Sequence, residues 1–268
     1  MTMTVAIGGL GAIGLPLARA LDRGAVAGLQ LIAVAAADPA RAAARVEAFE
    51  IPPEVVSLAR LAEADIVVEA APANVFIAIA EPAIAAGRIL VAASAGALLP
   101  RMELVRRAAE TGARILVPTG ALLGLDAVRA AAEGPVESVT METRKPPAGL
   151  AGAPYLRRRG IDLAGLTAPR RVFVGTALEA AAGFPANVNV AAALALAGIG
   201  PVRTRVEIWA DPGIDRNTHT IRVEAEAARF TMTIENVPSA ENPRTGRLTP
   251  LSVLACLRGL VSVLKVGS

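Results

Sequence analysis

The sequence has few of the residues that bind metals, form disulfides or stack on nucleic-acid bases. It contains one cysteine and one histidine among 268 residues, and only 3% of its residues are aromatic. The single cysteine, Cys256, excludes an intramolecular disulfide, and one cysteine with one histidine excludes the clusters that hold structural zinc. Few aromatic residues and a net charge of only +3 disfavour nucleic-acid binding. We therefore expect a metal-free protein of a reducing compartment with no nucleic-acid partner.

Long uncharged runs are also scarce, although the mean hydropathy is +0.51. The longest, residues 180–202, is long enough to cross a bilayer, but Pro185, Asn187 and Asn189 interrupt its first half. This pattern predicts a loop followed by a buried helix, with no membrane partner. The first apolar run is preceded by no basic segment, so we expect no signal peptide and a cytoplasmic location.

Up to about residue 118, short apolar runs alternate with alanine-rich amphipathic segments. This is the pattern of a parallel sheet with helices on both faces. The predicted strands cover residues 4–8, 31–37, 65–70, 89–93 and 114–117. The predicted helices cover residues 13–21, 39–49, 75–86 and 100–110. The fold class we predict is α/β, with a Rossmann-type, doubly wound domain over residues 1–120.

After residue 135 the segments become longer and alternate between apolar and polar residues, as strands of an antiparallel sheet do. The predicted strands cover residues 136–143, 204–210, 218–226 and 230–235. These predict a second, α+β domain over residues 121–247 with a mostly antiparallel sheet, one face of which a helix at 187–196 would cover. Within the C-terminal segment 248–264, Thr249 and Pro250 predict the start of a last helix at residue 251, which we expect to pack on the first domain.

The sequence Gly9-Leu10-Gly11-Ala12-Ile13-Gly14 lies between the first predicted strand and the first predicted helix. Glycines in this context allow a tight turn and the close approach of backbone N–H groups to a pyrophosphate at a helix N-terminus. The motif predicts an NAD- or NADP-binding turn formed by Gly9, Gly11, Ala12, Ile13 and Gly14. An ordinary glycine-rich loop is the alternative.

Asp38 follows the second predicted strand, where an acidic side chain binds the adenosine ribose of NAD. The alternative is a helix cap, because Pro39 follows it, and the two roles are compatible. Arg41 offers a positive charge for a 2′-phosphate, which leaves NAD and NADP both open.

His219, the only histidine, lies at the start of the predicted strand 218–226. Alternation places it on the same face as Ile221 and Val223, at the mouth of the buried face, where we expect a pKa near neutrality. Such an imidazole can transfer a proton in catalysis, or it can be a core histidine without a chemical role.

Two further polar residues have both a structural and a functional interpretation. Asn187 lies at the start of the predicted helix 187–196, where its amide would cap the helix or bind the carboxamide of a nicotinamide ring. Lys145 follows the predicted strand 136–143 and is the only lysine besides Lys265. It is either a solvated loop charge or a contact for a substrate carboxylate.

Several segments together resemble the L-aspartate dehydrogenase family, and they extend over nearly the whole chain. They are Gly9 to Gly14 and residues 118–126, 143–147, 184–190, 216–219 and 242–249. The resemblance implies NAD- or NADP-dependent oxidation of L-aspartate to iminoaspartate, which hydrolyses to oxaloacetate and ammonia or enters NAD biosynthesis. It also implies that Ala121 and Asn187 bind the cofactor and that His219 is catalytic. We expect a homodimer.

Two other functions remain open from the residues alone. One is a related two-domain reductase that acts on dihydrodipicolinate or a semialdehyde. The other is a protein that senses or binds the cofactor without catalysis.

Overall fold

The computed structural model describes residues 2–185, 188–239 and 246–267. These residues form two compact units, each with its own sheet. The first contains the chain up to Pro118 together with Thr249–Val266, and the second contains Thr119–Leu248. Among the described residues, no helix is long and apolar enough to cross a membrane.

The first unit contains a six-stranded sheet in the order β3-β2-β1-β4-β5-β6, and all of its paired strands are parallel. The strands are β1 (Met3–Gly8), β2 (Leu29–Ala35), β3 (Glu54–Val55), β4 (Ile66–Glu69), β5 (Ile89–Ala92) and β6 (Arg114–Leu116). The order reverses between β1 and β4, which is the point where doubly wound sheets bind their ligands. The prediction of a doubly wound α/β fold is confirmed.

Five α-helices and two 3₁₀-helices connect these strands. They are α1 (Gly14–Asp22), α2 (Pro39–Val46), α3 (Phe76–Ala85), α4 (Ala95–Leu98) and α5 (Glu103–Thr111), with 3₁₀-helices at Ala59–Glu63 and Ala73–Val75. The second strand lies two residues earlier than predicted. Parallel pairing with β1 joins Met3 to Leu29 and Gly8 to Ala35, so the chain leaves the sheet before Asp38.

The last helix, α11 (Leu248–Val261), contributes to the core of the first unit. Val253 and Leu257 are fully buried and belong to one apolar cluster with Val5 and Ile7 of β1. The predicted start of this helix at residue 251 is wrong. Pro250 lies within its first turn, where backbone N–H groups have no intrahelical acceptor and a proline costs no hydrogen bond.

The second unit contains a five-stranded mixed sheet in the order β11-β10-β7-β9-β8. The strands are β7 (Val136–Lys145), β8 (Arg170–Thr176), β9 (Thr204–Ala210), β10 (Asn217–Ala225) and β11 (Arg229–Asn236). Only β7 and β9 pair in parallel, so the prediction of a mostly antiparallel sheet is confirmed. The helices are α6 (Leu125–Ala132), α7 (Pro147–Leu150), α8 (Pro154–Arg159), α9 (Ala177–Gly183) and α10 (Asn189–Ala197).

One face of this sheet packs against α9 and α10. Side chains of β7 and β9 line a small apolar cavity there together with Ala180 of α9 and Ala191 of α10. Alanines on the two helices let their backbones lie close to the sheet. The same face carries His219, Ile221 and Val223 of β10, all of which are buried.

We expect Leu257→Ala to lower the free energy of unfolding by about 2–5 kcal/mol, because it leaves a cavity in the apolar cluster that α11 shares with β1. Chemical denaturation followed by far-UV circular dichroism measures the loss. Leu251→Ala is the matched control, since that side chain lies on the same helix but is 59% exposed. Equal effects of the two substitutions would contradict the packing of α11 described above.

Candidate active site

The glycine-rich turn joins β1 to α1 at the carboxyl end of the parallel sheet. Gly9 has a φ of +101°, and a Cβ there would lie 2.6 Å from the carbonyl oxygen of Ala70. A Cβ on Gly14 would overlap the carbonyl oxygen of Gly9. A Cβ on Gly11, in contrast, would point into open space with no atom within 4 Å. Two of the glycines therefore allow the turn to close, and the third leaves its outer side open to a ligand.

The N-terminus of α1 has the features of an anion-binding site. Ile13 occupies the N-cap position without a side-chain hydrogen bond, and the first turn carries no acidic residue. The N–H groups of this nine-residue helix are thus uncapped by side chains, and the positive end of the helix dipole favours a pyrophosphate. Arg45 of α2 donates a hydrogen bond to the carbonyl oxygen of Leu10 and so fixes the turn from the side. These residues fit a dinucleotide.

Asp38 is an exposed residue at the N-cap of α2. Its Oδ1 accepts a 3.0 Å hydrogen bond from the backbone N–H of Arg41. The capping role that the sequence predicts is therefore present, and the carboxylate lies three residues beyond the end of β2. A role in binding the adenosine ribose stays a prediction.

Glu69 is a buried carboxyl group at the carboxyl end of the same sheet, and the sequence did not identify it as a candidate. It is the last residue of β4 and is 0% exposed. Burial raises the pKa of Glu69 to about 7, although hydrogen bonds from Ser94 and Ala71 act in the opposite direction. An acidic residue at the end of the apolar run Ile66–Glu69 was the signal that could have identified it.

The second unit places His219 and Lys145 on the covered face of its sheet. His219 pairs across β10 and β7 with Thr143, and a 3.1 Å hydrogen bond joins Thr143 Oγ1 to His219 Nδ1. Thr143 and Lys145 alternate with Arg144 along β7, so both line the cavity beneath α9 and α10. The structure thus brings two of the predicted site residues together and adds Thr143, which the sequence reasoning did not select.

His219 is more deeply buried than the sequence predicts. It is 2% exposed, whereas we expected a position at the mouth of the face with a pKa near neutrality. Burial, together with the smaller effect of the positive charge of Lys145, lowers the pKa of His219 to about 3. That expectation is wrong because alternation along a strand reveals which face a residue occupies and not how completely helices cover it. At neutral pH the imidazole is uncharged.

Lys145 ends β7 and is 5% exposed, so the interpretation as a solvated loop charge is wrong. Its backbone carbonyl accepts a 2.8 Å hydrogen bond from the N–H of Asp211. A buried ammonium group beside a neutral imidazole can bind an anionic substrate group that replaces its lost hydration.

Ala121 lies in the loop before α6, in a turn where the N–H of Leu122 donates to the carbonyl of Thr119. The carbonyl oxygen of Ala121 accepts a 2.9 Å hydrogen bond from Nδ2 of the buried Asn236. Asn187 lies outside the described residues, so its predicted role stays a prediction. Within the described parts of the chain, no group of three or more His, Cys, Asp or Glu residues is arranged to hold a metal ion.

Comparisons with known proteins cover both units. A family model described as "Aspartate dehydrogenase, C-terminal" matches residues 126–260, and one described as "Homoserine dehydrogenase, NAD binding domain" matches residues 9–118. "L-aspartate dehydrogenase 3" of Bordetella bronchiseptica is 55% identical over 98% of this chain and 97% of its own. This chain belongs to the L-aspartate dehydrogenase family.

Two other members of the L-aspartate dehydrogenase family support this assignment. The L-aspartate dehydrogenase of Bradyrhizobium diazoefficiens is 54% identical over 99% of this chain and 94% of its own. The crystal structure of aspartate dehydrogenase from Thermotoga maritima is 25% identical, covers 100% of both chains and superposes with a TM-score of 0.75. The family resemblance found in the sequence is confirmed.

We expect Gly11→Val to weaken NADH binding by at least about tenfold without lowering the melting temperature, because its side chain would fill the open side of the turn. Gly14→Val should instead lower the melting temperature, since its Cβ would overlap the Gly9 carbonyl. Isothermal titration with NADH and thermal unfolding of the apo-proteins measure the two effects. Wild-type affinity in a folded Gly11→Val protein would remove the turn from the binding site.

His219 gives the only imidazole signals in an NMR spectrum of this chain, which allows a direct titration. Because its pKa in the folded protein lies below the ordinary 6.5, we expect a neutral ring throughout pH 5–8 and a free energy of unfolding that falls as the pH falls below 6.5. Lys145→Met should raise the pKa, since it removes the neighbouring positive charge. Lys265→Met, at an exposed position, should not change it. A wild-type midpoint near 6.5 would contradict the buried environment.

Proposed function

We propose that this chain oxidises L-aspartate with NAD or NADP to iminoaspartate, which hydrolyses to oxaloacetate and ammonia. The observation that carries the proposal is the pairing of His219 with Lys145 on one covered sheet face. It supplies a proton acceptor and a fixed positive charge at the same place. Family membership and the open glycine turn support the same reaction.

Lys145 is the residue we assign to a substrate carboxylate. Aspartate carries two carboxylates, and a carboxylate leaves water only where positive groups replace its hydration. Lys145 is buried and lines the cavity below α10, so its ammonium group offers a fixed positive charge to a substrate carboxylate there. Its position also affects the chemistry, because its charge acts on His219.

His219 is the residue we assign to proton transfer. Burial gives His219 a low pKa, which the charge of Lys145 lowers further, so the imidazole is a weak base before substrate binds. A bound carboxylate neutralises that charge and places a negative group nearby, and both changes raise the pKa of the imidazole. His219 then accepts a proton from the substrate amino group, with Thr143 holding its Nδ1 at 3.1 Å. In this proposal the base becomes effective only when substrate is present.

The cofactor supplies the hydride acceptor when it is bound. We assign the pyrophosphate to the turn of Gly9, Gly11, Ala12, Ile13 and Gly14, and the nicotinamide to Ala121 and Asn187. The adenosine ribose we assign to Asp38. The backbone N–H of Arg41 donates a hydrogen bond to Asp38, and its side chain offers a positive charge to a 2′-phosphate. We therefore propose that both NAD and NADP bind.

The assembly and cellular setting that we propose are a homodimer in the cytoplasm that supplies iminoaspartate to pyridine nucleotide biosynthesis. The outward face of the second sheet supports the homodimer, because Trp209 lies there between the guanidinium groups of Arg144 at 4.7 Å and Arg171 at 5.7 Å. Tryptophan and arginine are enriched at protein interfaces. The single cysteine, Cys256, suits a reducing compartment.

We expect the purified protein to reduce NAD or NADP with L-aspartate and His219→Asn to lower kcat by about 10²–10⁴, the usual contribution of general acid–base catalysis. Asparagine keeps hydrogen-bonding capacity but cannot accept a proton near neutral pH. Initial rates with both cofactors and a panel of amino acids measure the effect. Ile221→Val, on the same face of the same strand, is the matched control and should keep kcat near the wild-type value.

Three outcomes would count against this assignment. A loss below about tenfold with an unchanged pH–rate profile would show that another group carries the proton. Turnover of dihydrodipicolinate or a semialdehyde with none of aspartate would favour a related reductase. Tight NADH binding without oxidation of any amino acid would favour a cofactor-sensing protein.

A further inference from the structure

A single carboxyl group joins two loops at the carboxyl end of the parallel sheet. Glu69 Oε1 accepts hydrogen bonds from the N–H of Ala71 at 3.2 Å and from Oγ of Ser94 at 2.9 Å. Its Oε2 accepts a third from the N–H of Ser94 at 2.9 Å. Ala71 follows β4 and Ser94 follows β5, so this one side chain holds the loops that follow two adjacent strands.

Ser94 occupies the N-cap position of α4, and serine there normally accepts a hydrogen bond from the first turn of its helix. Its side chain makes no capping hydrogen bond in this structure. The hydroxyl donates to Glu69 instead, so Ser94 ties the two loops together and does not cap α4.

The loop that Glu69 fixes lies directly against the glycine-rich turn. The N–H of Ala70 donates to the carbonyl of Gly8 at 2.9 Å. The carbonyl oxygen of Ala70 lies so near Gly9 that a Cβ on Gly9 would come within 2.6 Å of it. A shift of the loop after β4 would therefore move one wall of the pyrophosphate turn.

A doubly wound sheet binds the two halves of a dinucleotide on the two sides of its switch point. In this unit the strands β1, β2 and β3 form one half, with Asp38 beyond β2, and β4, β5 and β6 form the other. In dinucleotide-binding sheets the acidic residue after the second strand binds the adenosine ribose. We therefore expect the loops after β4 and β5 to lie beside the nicotinamide half.

We infer that Glu69 is a positioning residue for the nicotinamide half of the cofactor, which it serves by holding the loops after β4 and β5 in one arrangement through Ala71 and Ser94. The inference rests on the proposed dinucleotide site of the first unit and not on the identity of the substrate. Burial of the group supports a positional role. A buried carboxyl adds little to stability compared with an apolar side chain, whereas its three hydrogen bonds define the backbone geometry.

The test compares the Kd of NADH with that of AMP, which carries only the adenosine half, for the full chain by isothermal titration. In Glu69→Gln the amide can keep the two hydrogen bonds to Oε1, but its NH₂ group then faces the N–H of Ser94. We expect the Kd of NADH to rise at least about tenfold and the Kd of AMP to stay within about twofold. A general loss of stability would instead weaken the binding of both ligands.

Asp65→Asn is the matched control. Asp65 precedes β4 at the amino end of that strand, where its Oδ2 accepts hydrogen bonds from the N–H and Oγ1 of Thr4 at 2.9 and 2.8 Å. It therefore ties two strands together as Glu69 ties two loops, but away from the cofactor. We expect Asp65→Asn to lower the melting temperature and to leave the Kd of NADH within about twofold of the wild-type value.

Equal effects of Glu69→Gln on NADH and AMP, or a Kd of NADH within twofold of the wild-type value, would overturn the inference. If Glu69→Gln does not fold, Ser94→Ala decides, since it removes only the hydroxyl donor and keeps the backbone N–H. It should raise the Kd of NADH by at least about threefold with no change in the Kd of AMP, and an unchanged Kd of NADH would overturn the inference. A wild-type protein that binds NADH but does not oxidise aspartate would contradict the proposed reaction alone.

Discussion

Ionisable side chains lose their hydration when a strand carries them into an apolar interior, and this desolvation governs the chemistry of both units. Glu69, Lys145 and His219 are all at most 5% exposed. Burial favours the neutral forms of Glu69 and His219, and hydrogen bonds or nearby charges then adjust the balance. The same effect raises the pKa of Glu69 to about 7 and lowers that of His219 to about 3. Glu69 holds the backbone of two loops, and in the proposed reaction His219 becomes an effective base once a substrate carboxylate is bound.

The sequence predicted the two sheets well because their strands follow simple apolar patterns. The Gly9–Gly14 motif between β1 and α1 identified the edge of the first sheet that carries the glycine turn. Alternation along residues 218–226 placed His219 on the covered face of the second. The elements that the sequence missed are short or polar. The edge strand β3 has two residues, and β8 begins with Arg170 and Arg171, so neither shows a clear apolar period.

The properties of individual site residues were harder to predict than the elements. The burial of Lys145 and the low pKa of His219 depend on α9 and α10, which cover the sheet from positions distant in sequence. Glu69 was missed because its partner Ser94 lies 25 residues away. The sequence also gives two good explanations for Asp38, and the structure shows only the one that needs no ligand. Residue type and period therefore located the candidate site, whereas depth and pairing required the fold.

The packing of α11 in the core of the first unit has a consequence for the synthesis of this chain on the ribosome. Val253 and Leu257 complete an apolar cluster whose other buried members lie between Val5 and Val91 and are therefore synthesised much earlier. At about 5–20 residues per second, tens of seconds pass before these side chains exist. During this time the apolar surface of the first unit that packs against α11 is uncovered. All strands of the second unit are synthesised before α11. Because synthesis runs towards the C-terminus, the core of the first unit is completed only after all strands of the second unit have been made.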